Sequence, residues 1–136
     1  CIIDNPPDVN MSVFNVLTIT DDVVIVTLLE TDSVDGIRKI AQQVEDVQQF
    51  NPHLAIRGVL VNQYIAYPEV STIYKSVQEA GFSIFRTRIS YATRLAKYHL
   101  MTASQGKKSI FEVCQNCRIA RDLMEFAEEL LDGGAA

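Results

Sequence analysis

Residues 21–29 read Asp-Asp-Val-Val-Ile-Val-Thr-Leu-Leu, an acidic pair followed by an almost unbroken β-branched and aliphatic run. A run of this length and composition predicts a strand that is buried on both faces, as in a parallel sheet. Ser33 can cap a helix that follows this strand in the sequence, and Glu45 and Asp46 lie on the polar side of that helix. The apolar residues at helical spacing are Val34, Ile37, Ile40, Ala41, Val44 and Val47. A strand followed by a helix is the unit from which parallel α/β sheets are built.

The same alternation continues to the C-terminal end. A short helix is indicated over residues 13–17, before the first run, and residues 56–62 predict the next strand. Pro68 begins a helix that Gly81 ends, residues 82–89 predict another strand, and a last amphipathic helix ends near Gly133. The pattern predicts right-handed crossovers and a doubly wound, mostly parallel α/β sheet with helices on both faces. By length, residues 1–136 are expected to form a single domain.

Residues 1–8, Cys-Ile-Ile-Asp-Asn-Pro-Pro-Asp, predict a further buried strand that ends at an acidic residue. Pro6 and Pro7 have no N–H to donate to a sheet, so strand pairing should stop where Asp4 emerges. Asp4 is therefore expected at the carboxyl end of a strand, where open α/β sheets bind their ligands. An ordinary surface Asp at a strand-to-turn junction is the alternative that these eight residues leave open.

Charge is strongly segregated along the chain. The net charge of −5 argues against wholesale attraction to nucleic acid, yet residues 86–121 carry +7 and the remainder carries −12. No apolar stretch is long enough to span a bilayer and no signal-peptide pattern opens the chain, so we expect a soluble, intracellular protein. Because the chain opens without Met, inside an expected strand, we expect it to be the C-terminal part of something longer, incomplete at its N-terminus.

The three cysteines are an odd number, which disfavours a secreted disulfide framework. The Cys114-Gln-Asn-Cys117 segment is compatible with a redox dithiol or with half of a metal site shared across a two-fold axis. Two cysteines buried at a helix start are the more ordinary interpretation. His53 and His99 are expected at the surface. The segment Gly106-Lys-Lys-Ser109 is not a phosphate loop, because position 101, where such a loop needs Gly, is Met.

Several segments occur in an order that spans nearly the whole chain. They are Asp-Asn-Pro-Pro at 4–7, Asn-Val-Leu at 15–17, Gly-Val-Leu-Val-Asn at 58–62, Arg-Leu-Ala at 94–96, Gly-Lys at 106–107 before Ile-Phe at 110–111, and Ala-Arg-Asp-Leu at 120–123. Together they resemble the ParA/MinD-like ATPases, the deviant-Walker, SIMIBI-class P-loop proteins that partition DNA or position division machinery. The chain departs from that family at Ile89-Ser90, where Ile-Pro is usual, and at Lys97, where an acid is frequent.

The resemblance implies ATP and Mg²⁺ as cofactors. Asp4 would take the Walker B role beside a hydrated Mg²⁺, and Pro6 and Pro7 would stiffen the switch that senses the γ-phosphate. Asn62 would contact the adenine base, together with the backbone at Ile89 and Ser90. For Asn62 the alternative is a turn-forming Asn that bonds its own backbone.

The resemblance also implies partners. Arg94 would bind DNA non-specifically with the help of nearby cations, namely Arg88, Lys97, Lys107 and Lys108. Solvated charges packed on the fold are the alternative. The complete protein would be an ATPase that forms a homodimer around ATP·Mg²⁺, associates with the nucleoid in the cytoplasm, and is stimulated by a ParB-like partner, without membrane binding.

This chain alone contains no Gly-rich phosphate loop and is expected to be inactive. Its relatives place a further strand between the strand at 1–3 and that at 23–29, so we expect poor solubility or direct pairing of those two strands. Two alternative functions remain. One is a MinD-like membrane-positioning ATPase, disfavoured by the acidic tail at 128–136; the other is a non-catalytic interaction module of a secretion or pilus apparatus.

Overall fold

The computed structural model describes residues 1–6, 10–91, 109–114 and 116–134. In chain order the helices and strands are α1 (Met11–Leu17), β1 (Asp22–Thr27), α2 (Ser33–Gln48), β2 (Ala55–Tyr64), α3 (Pro68–Glu79), β3 (Ile84–Ser90), α4 (Ile110–Val113) and α5 (Arg118–Leu131). Strands and helices alternate as the sequence predicts.

The three strands form one parallel sheet in the order β1-β2-β3, with β2 in the centre. The register of β1 on β2 shifts between Val23, which pairs with Ile56, and Val24, which pairs with Gly58. One extra residue on β2 makes a β-bulge there. Gly58 has a φ of 151°, a conformation that side chains disfavour, so glycine suits this bulge.

Helices cover the sheet on both faces, which confirms the α/β prediction. On one face, α2 and α3 pack Ile37 and Val77 onto β-strand residues such as Val59. On the other face, α5 packs Ile119 against Phe85, whose ring meets that of Phe126 edge to face at 5.0 Å. The short α1 lies against the end of α2, with Val13 and Leu17 beside Val44 and Val47. Alternate residues of each strand thus enter different cores, as the period of two requires.

The boundaries of α3 follow local chemistry. Pro68 is the first residue of α3, and Gly81 follows its last turn with a φ of 88°. Ser33 behaves differently from the prediction. It is the first helical residue rather than the cap, and its hydroxyl donates to the Leu28 carbonyl and accepts from the N–H of Glu30. Ser33 therefore fixes the loop between β1 and α2.

Two expectations for buried strands are wrong. Residues 1–6 form neither strand nor helix, Ile2 is 98% exposed, and the direct pairing of residues 1–3 with β1, one of the two expected alternatives, is not made. An apolar run becomes a strand only beside a partner edge, and among the described residues β1 pairs only with β2. Strand β1 ends at Thr27, before Leu28 and Leu29, and Val26 is 56% exposed, so this strand is not buried on both faces.

Within the parts of the chain that the structure describes, none of the helices combines the length and the apolar character needed to cross a bilayer.

Candidate functional site

The carboxyl ends of all three strands lie along one edge of the sheet, because the strands are parallel. A cleft of about 250 Å³ opens at this edge. Its lining residues come from the end of β2, from the segments that follow the three strands and from the first turn of α3: Leu28, Leu29, Glu30, Val61, Asn62, Gln63, Tyr64, Ile65, Tyr67, Val70 and Tyr91. This is the position at which open α/β sheets hold ligands, so the cleft is the candidate site.

Asn62 lines the cleft, near the end of β2 where the sequence predicts it. Its Oδ1 accepts a hydrogen bond from the N–H of Gln63 at 2.9 Å, and Gln63 has a φ of 50°. The local backbone bond that was the alternative role of Asn62 is therefore present. The Nδ2 group of this half-buried side chain remains as a donor, and it can donate a hydrogen bond to an acceptor atom at the edge of a base.

The end of β3 is fixed by a buried carboxylate. The N–H of Ser90 donates to Oδ2 of Asp122 on α5 at 2.8 Å, and Asp122 is only 9% exposed. The N–H of Tyr91 donates to the carbonyl of Tyr64 at 3.1 Å. Neither Ile89 nor Ser90 lines the cleft, and the side chain of Ile89 is buried in the core against α5. Tyr91, the next residue, presents the polar and aromatic surface that faces the cleft.

Arg88 lies between two aromatic rings. Its guanidinium carbon is 4.8 Å from the ring centre of Tyr64 and 5.0 Å from that of Tyr74. Its Nε is buried and makes no hydrogen bond to any described residue. The charge is thus stacked against the α3 side of the sheet rather than extended into solvent.

Glu129 forms a second carboxylate contact with β3, away from the cleft. Its two oxygens accept from the N–H groups of Arg86 at 2.7 Å and Thr87 at 2.9 Å. Burial alone would raise the pKa of Glu129, but the hydrogen bonds from Thr87 and Arg86, with the Arg86 charge, outweigh burial and lower it. Beside this contact is a cavity of about 350 Å³, lined mainly by acids: Arg86, Thr87, Glu125, Glu128, Glu129 and Asp132.

The remaining predicted site residues are not brought together by the described structure. Asp4 and Pro6 are exposed in the irregular segment 1–6 and do not line the cleft. The other predicted residues lie outside the described part of the chain: Pro7, Arg94, Lys97, Lys107 and Lys108. Across residues 1–6, 10–91, 109–114 and 116–134, no three His, Cys, Asp or Glu side chains gather in a way that could hold a metal ion.

Sequence reasoning did not identify Tyr64, Tyr67 and Tyr91 as cleft residues, nor Asp122 as the partner of Ser90. The tyrosines could have been found from their positions, since each follows or ends a predicted strand on the ligand side of a parallel sheet. No sequence signal marks Asp122, because its partner is a backbone N–H that lies 32 residues away.

A protein-family model described as an AAA domain matches residues 1–56. No curated protein matches the chain. The crystal structure of cobyrinic acid a,c-diamide synthase from Mycobacterium smegmatis matches with a TM-score of 0.64 and 22% identity, covering 86% of this chain and 40% of that chain. The structure of the same synthase with bound ADP and magnesium matches with a TM-score of 0.52 and 23% identity, and the match covers 69% of this chain and 43% of that chain.

These likenesses show the fold, a P-loop NTPase-like α/β sheet. The chain spans about two fifths of the length of the solved structures that it matches.

Proposed function

We propose that the chain is the C-terminal part of a ParA-like ATPase that partitions plasmids or chromosomes. The observation that carries the proposal is the cleft at the carboxyl edge of the parallel sheet, where Asn62 offers an amide and Tyr67 and Tyr91 offer exposed rings. The match of residues 1–56 to an AAA domain supports nucleotide chemistry, as does a similar fold crystallised with ADP and magnesium.

The cleft suits a purine base in its chemistry. A base needs flat apolar contact on its faces and hydrogen-bonding groups at its edge. Tyr67 and Tyr91 are more than half exposed, and their rings can supply the flat apolar contact. Nδ2 of Asn62 can supply a hydrogen bond to the edge of the base. The phosphates would lie beyond the cleft and be held by a Gly-rich loop elsewhere in the complete protein, since this chain contains none.

Asp4 is proposed as the Mg²⁺ contact, with Pro6 and Pro7 stiffening the segment. Its exposed carboxylate is a hard oxygen donor, which fits a cation that keeps most of its waters and takes phosphate oxygens as further ligands. In the complete protein, a strand beside β1 would give residues 1–3 the partner that they need to become a strand and place Asp4 at the carboxyl edge. Bound Mg²⁺ would neutralise phosphate charge there.

DNA binding is proposed for the dimer and for the +7 segment of residues 86–121. Clustered cations bind DNA by releasing its counterions, without reading sequence. Arg94, Lys97, Lys107 and Lys108 are the proposed contacts, while Arg88 is the weakest candidate because two tyrosine rings already hold its charge. ATP would favour the dimer, and hydrolysis stimulated by a ParB-like partner would release it.

Base recognition is tested by Asn62→Ala in the complete protein. Losing the amide should weaken ATP binding by about fivefold to tenfold and narrow the preference for ATP over GTP, because one hydrogen bond contributes about 1 kcal/mol. Gln78→Ala is the matched control, an exposed amide on α3 far from the cleft. Titration calorimetry with both nucleotides measures the effect. Equal affinities for the two variants and the unaltered protein would remove Asn62 from the site.

DNA contact is tested by Arg94→Ala in the same protein with ATP bound. The slope of log K against log salt should fall by about one, because one phosphate contact is lost. Arg38→Ala serves as the control, since Arg38 is an exposed cation on α2 outside the basic segment. Fluorescence anisotropy at several salt concentrations gives both slopes. An unchanged slope for Arg94→Ala would exclude it from the DNA surface.

A further inference from the structure

Cys114 and Cys117 lie on either side of the junction between α4 and α5. Cys114 ends the one-turn α4 and Cys117 is the N-cap residue of the 14-residue α5. The N–H of Cys117 donates to the carbonyl of Cys114 at 3.0 Å. A backbone hydrogen bond between residues three apart holds their Cα atoms within about 7 Å, close to the range of about 4.4 to 6.8 Å that a disulfide needs.

The two thiols also meet each other. Neither Cys114 nor Cys117 is in a disulfide and both are half-buried, so a small reagent can reach the thiols, and the side chain of Cys114 hydrogen-bonds to that of Cys117. Because the backbone already brings the two residues together, a bond between the sulfurs requires side-chain rotation rather than refolding of the junction.

The start of α5 favours a thiolate on Cys117. Burial would raise the pKa of the Cys117 thiol, but the hydrogen bond from Cys114 and the N–H groups of Ala120 and Ile119 lower it below its ordinary value. Cys117 is the N-cap residue of α5, and the positive end of a helix dipole favours a thiolate at that position. Arg118 and Arg121 add positive charge to the first turn.

We propose that Cys114 and Cys117 form a reversible dithiol–disulfide couple that exchanges with small disulfides of the glutathione class. The Cys117 thiolate attacks one sulfur of the external disulfide, forms a mixed disulfide and releases one thiolate. The Cys114 thiolate then attacks the Cys117 sulfur, forms the Cys114–Cys117 bond and releases the second. Two electrons pass to the external disulfide, and the two thiol protons end on its two thiolate products.

The couple lies at the start of the helix that contacts the end of β3. Oxidation would link α4 covalently to α5, the helix whose Asp122 holds the N–H of Ser90 at the end of β3. Asp122 follows Cys117 by less than two helical turns.

The test uses the 136-residue chain with Cys1→Ser, which removes the third, exposed thiol. The chain is equilibrated in buffers of reduced and oxidised glutathione, quenched with an alkylating reagent and analysed by mass spectrometry. The expected result is the joint loss of two free thiols per chain in a single transition, fully restored by dithiothreitol. Two thiols that stay free, or that disappear independently of each other, would overturn the proposal.

Single variants identify the attacking sulfur. With Cys114→Ser, Cys117 should accumulate as a mixed disulfide with glutathione, because no second thiol displaces it. With Cys117→Ser, Cys114 should react with oxidised glutathione more slowly than Cys117 does in the Cys114→Ser variant. Equal reaction of both would contradict the assigned order, and the titration of the paired thiols remains decisive if a variant fails to fold. Resistance of the pair to oxidised glutathione, with one zinc bound per two chains, would assign the cysteines to a metal and overturn the couple.

Discussion

Arg88 owes its position to two tyrosines. Its guanidinium stacks on the rings of Tyr64 and Tyr74 at 4.8 and 5.0 Å, which joins the end of β2 to α3 through β3. A cation–π contact contributes about 0.5 to 2 kcal/mol, whereas a buried donor that no described group satisfies, such as Nε of Arg88, costs about 1 to 3 kcal/mol. The two effects partly offset each other, so Arg88 contributes modestly to stability.

Replacing Arg88 with Ala should lower the free energy of unfolding by about 1 to 2 kcal/mol, because the stem packing and both ring contacts are lost together. Arg88→Met keeps most of the stem volume and should cost less. Urea denaturation followed by circular dichroism measures both. Arg38→Ala is the control, since its exposed pair with Asp35 at 3.8 Å should contribute almost nothing. Equal changes in the free energy of unfolding for Arg88→Ala and Arg38→Ala would show that the stacked arginine does not contribute to stability.

At the scale of elements, α5 protects β3 with carboxylates as well as with apolar packing. Asp122 binds the N–H of Ser90, and Glu129 binds the N–H groups of Arg86 and Thr87. Backbone N–H groups at a sheet edge invite pairing with another chain, and a charged acceptor is a strong way to satisfy them. The contact of α5 with this sheet therefore combines two carboxylates with apolar residues along the length of the helix, from Ile119 to Leu130.

Glu129→Gln should lower stability at neutral pH by about 1 kcal/mol, because a charged acceptor of two hydrogen bonds becomes a neutral one. The pKa of Glu129 is lowered in the folded state, so its stabilisation is present above its ordinary value of 4.5 and is lost as pH falls through the lowered folded-state value. The unaltered chain should thus lose stability on acidification more steeply than Glu129→Gln.

Glu128→Gln is the matched control for that experiment, since Glu128 is the exposed neighbour of Glu129 on the same helix. Its urea midpoint should follow that of the unaltered chain at every pH. If both variants show the same acid dependence as the unaltered chain, Glu129 is not the titrating contact.

At the scale of the whole molecule, the sheet is covered unevenly. Helix α5 packs on β3, and among the described residues the outer part of β1 on that face remains open, with Val26 and Leu28 exposed. Strand β1 also has no described partner on its outer edge. An open apolar edge of this kind promotes association between copies.

Val26→Lys should weaken self-association of the 136-residue chain by about tenfold, because a buried valine contributes about 1.5 kcal/mol and a lysine on an edge strand opposes pairing. Sedimentation velocity over a range of concentrations measures the change. Ile19→Lys is the control, an exposed apolar residue near the other end of β1. An unaltered chain that stays monomeric at every concentration would contradict the expectation.

The order of helices and strands was predictable because each depends on residues close in sequence. Pro68 and Gly81 bound α3, and the spacing of Ile37, Val44 and Val47 defines the buried side of α2. The position of Asn62 near the end of β2 followed from the same local patterns. The wrong predictions depend on neighbouring groups that the local sequence does not show. They are the strand at residues 1–3, the full burial of β1 and the cap at Ser33.

The sequence by itself determined the α/β class, the parallel order of strands and helices, and the edge at which the cleft opens, because periodicity and turn chemistry act over a few residues. Only the tertiary structure decided that Arg88 lies between two rings, that Asp122 and Glu129 hold the backbone of β3, and that residues 1–6 lie outside the sheet. Each of these depends on groups far apart in the chain, and a strand or a buried charge is stable only when a distant neighbour satisfies it.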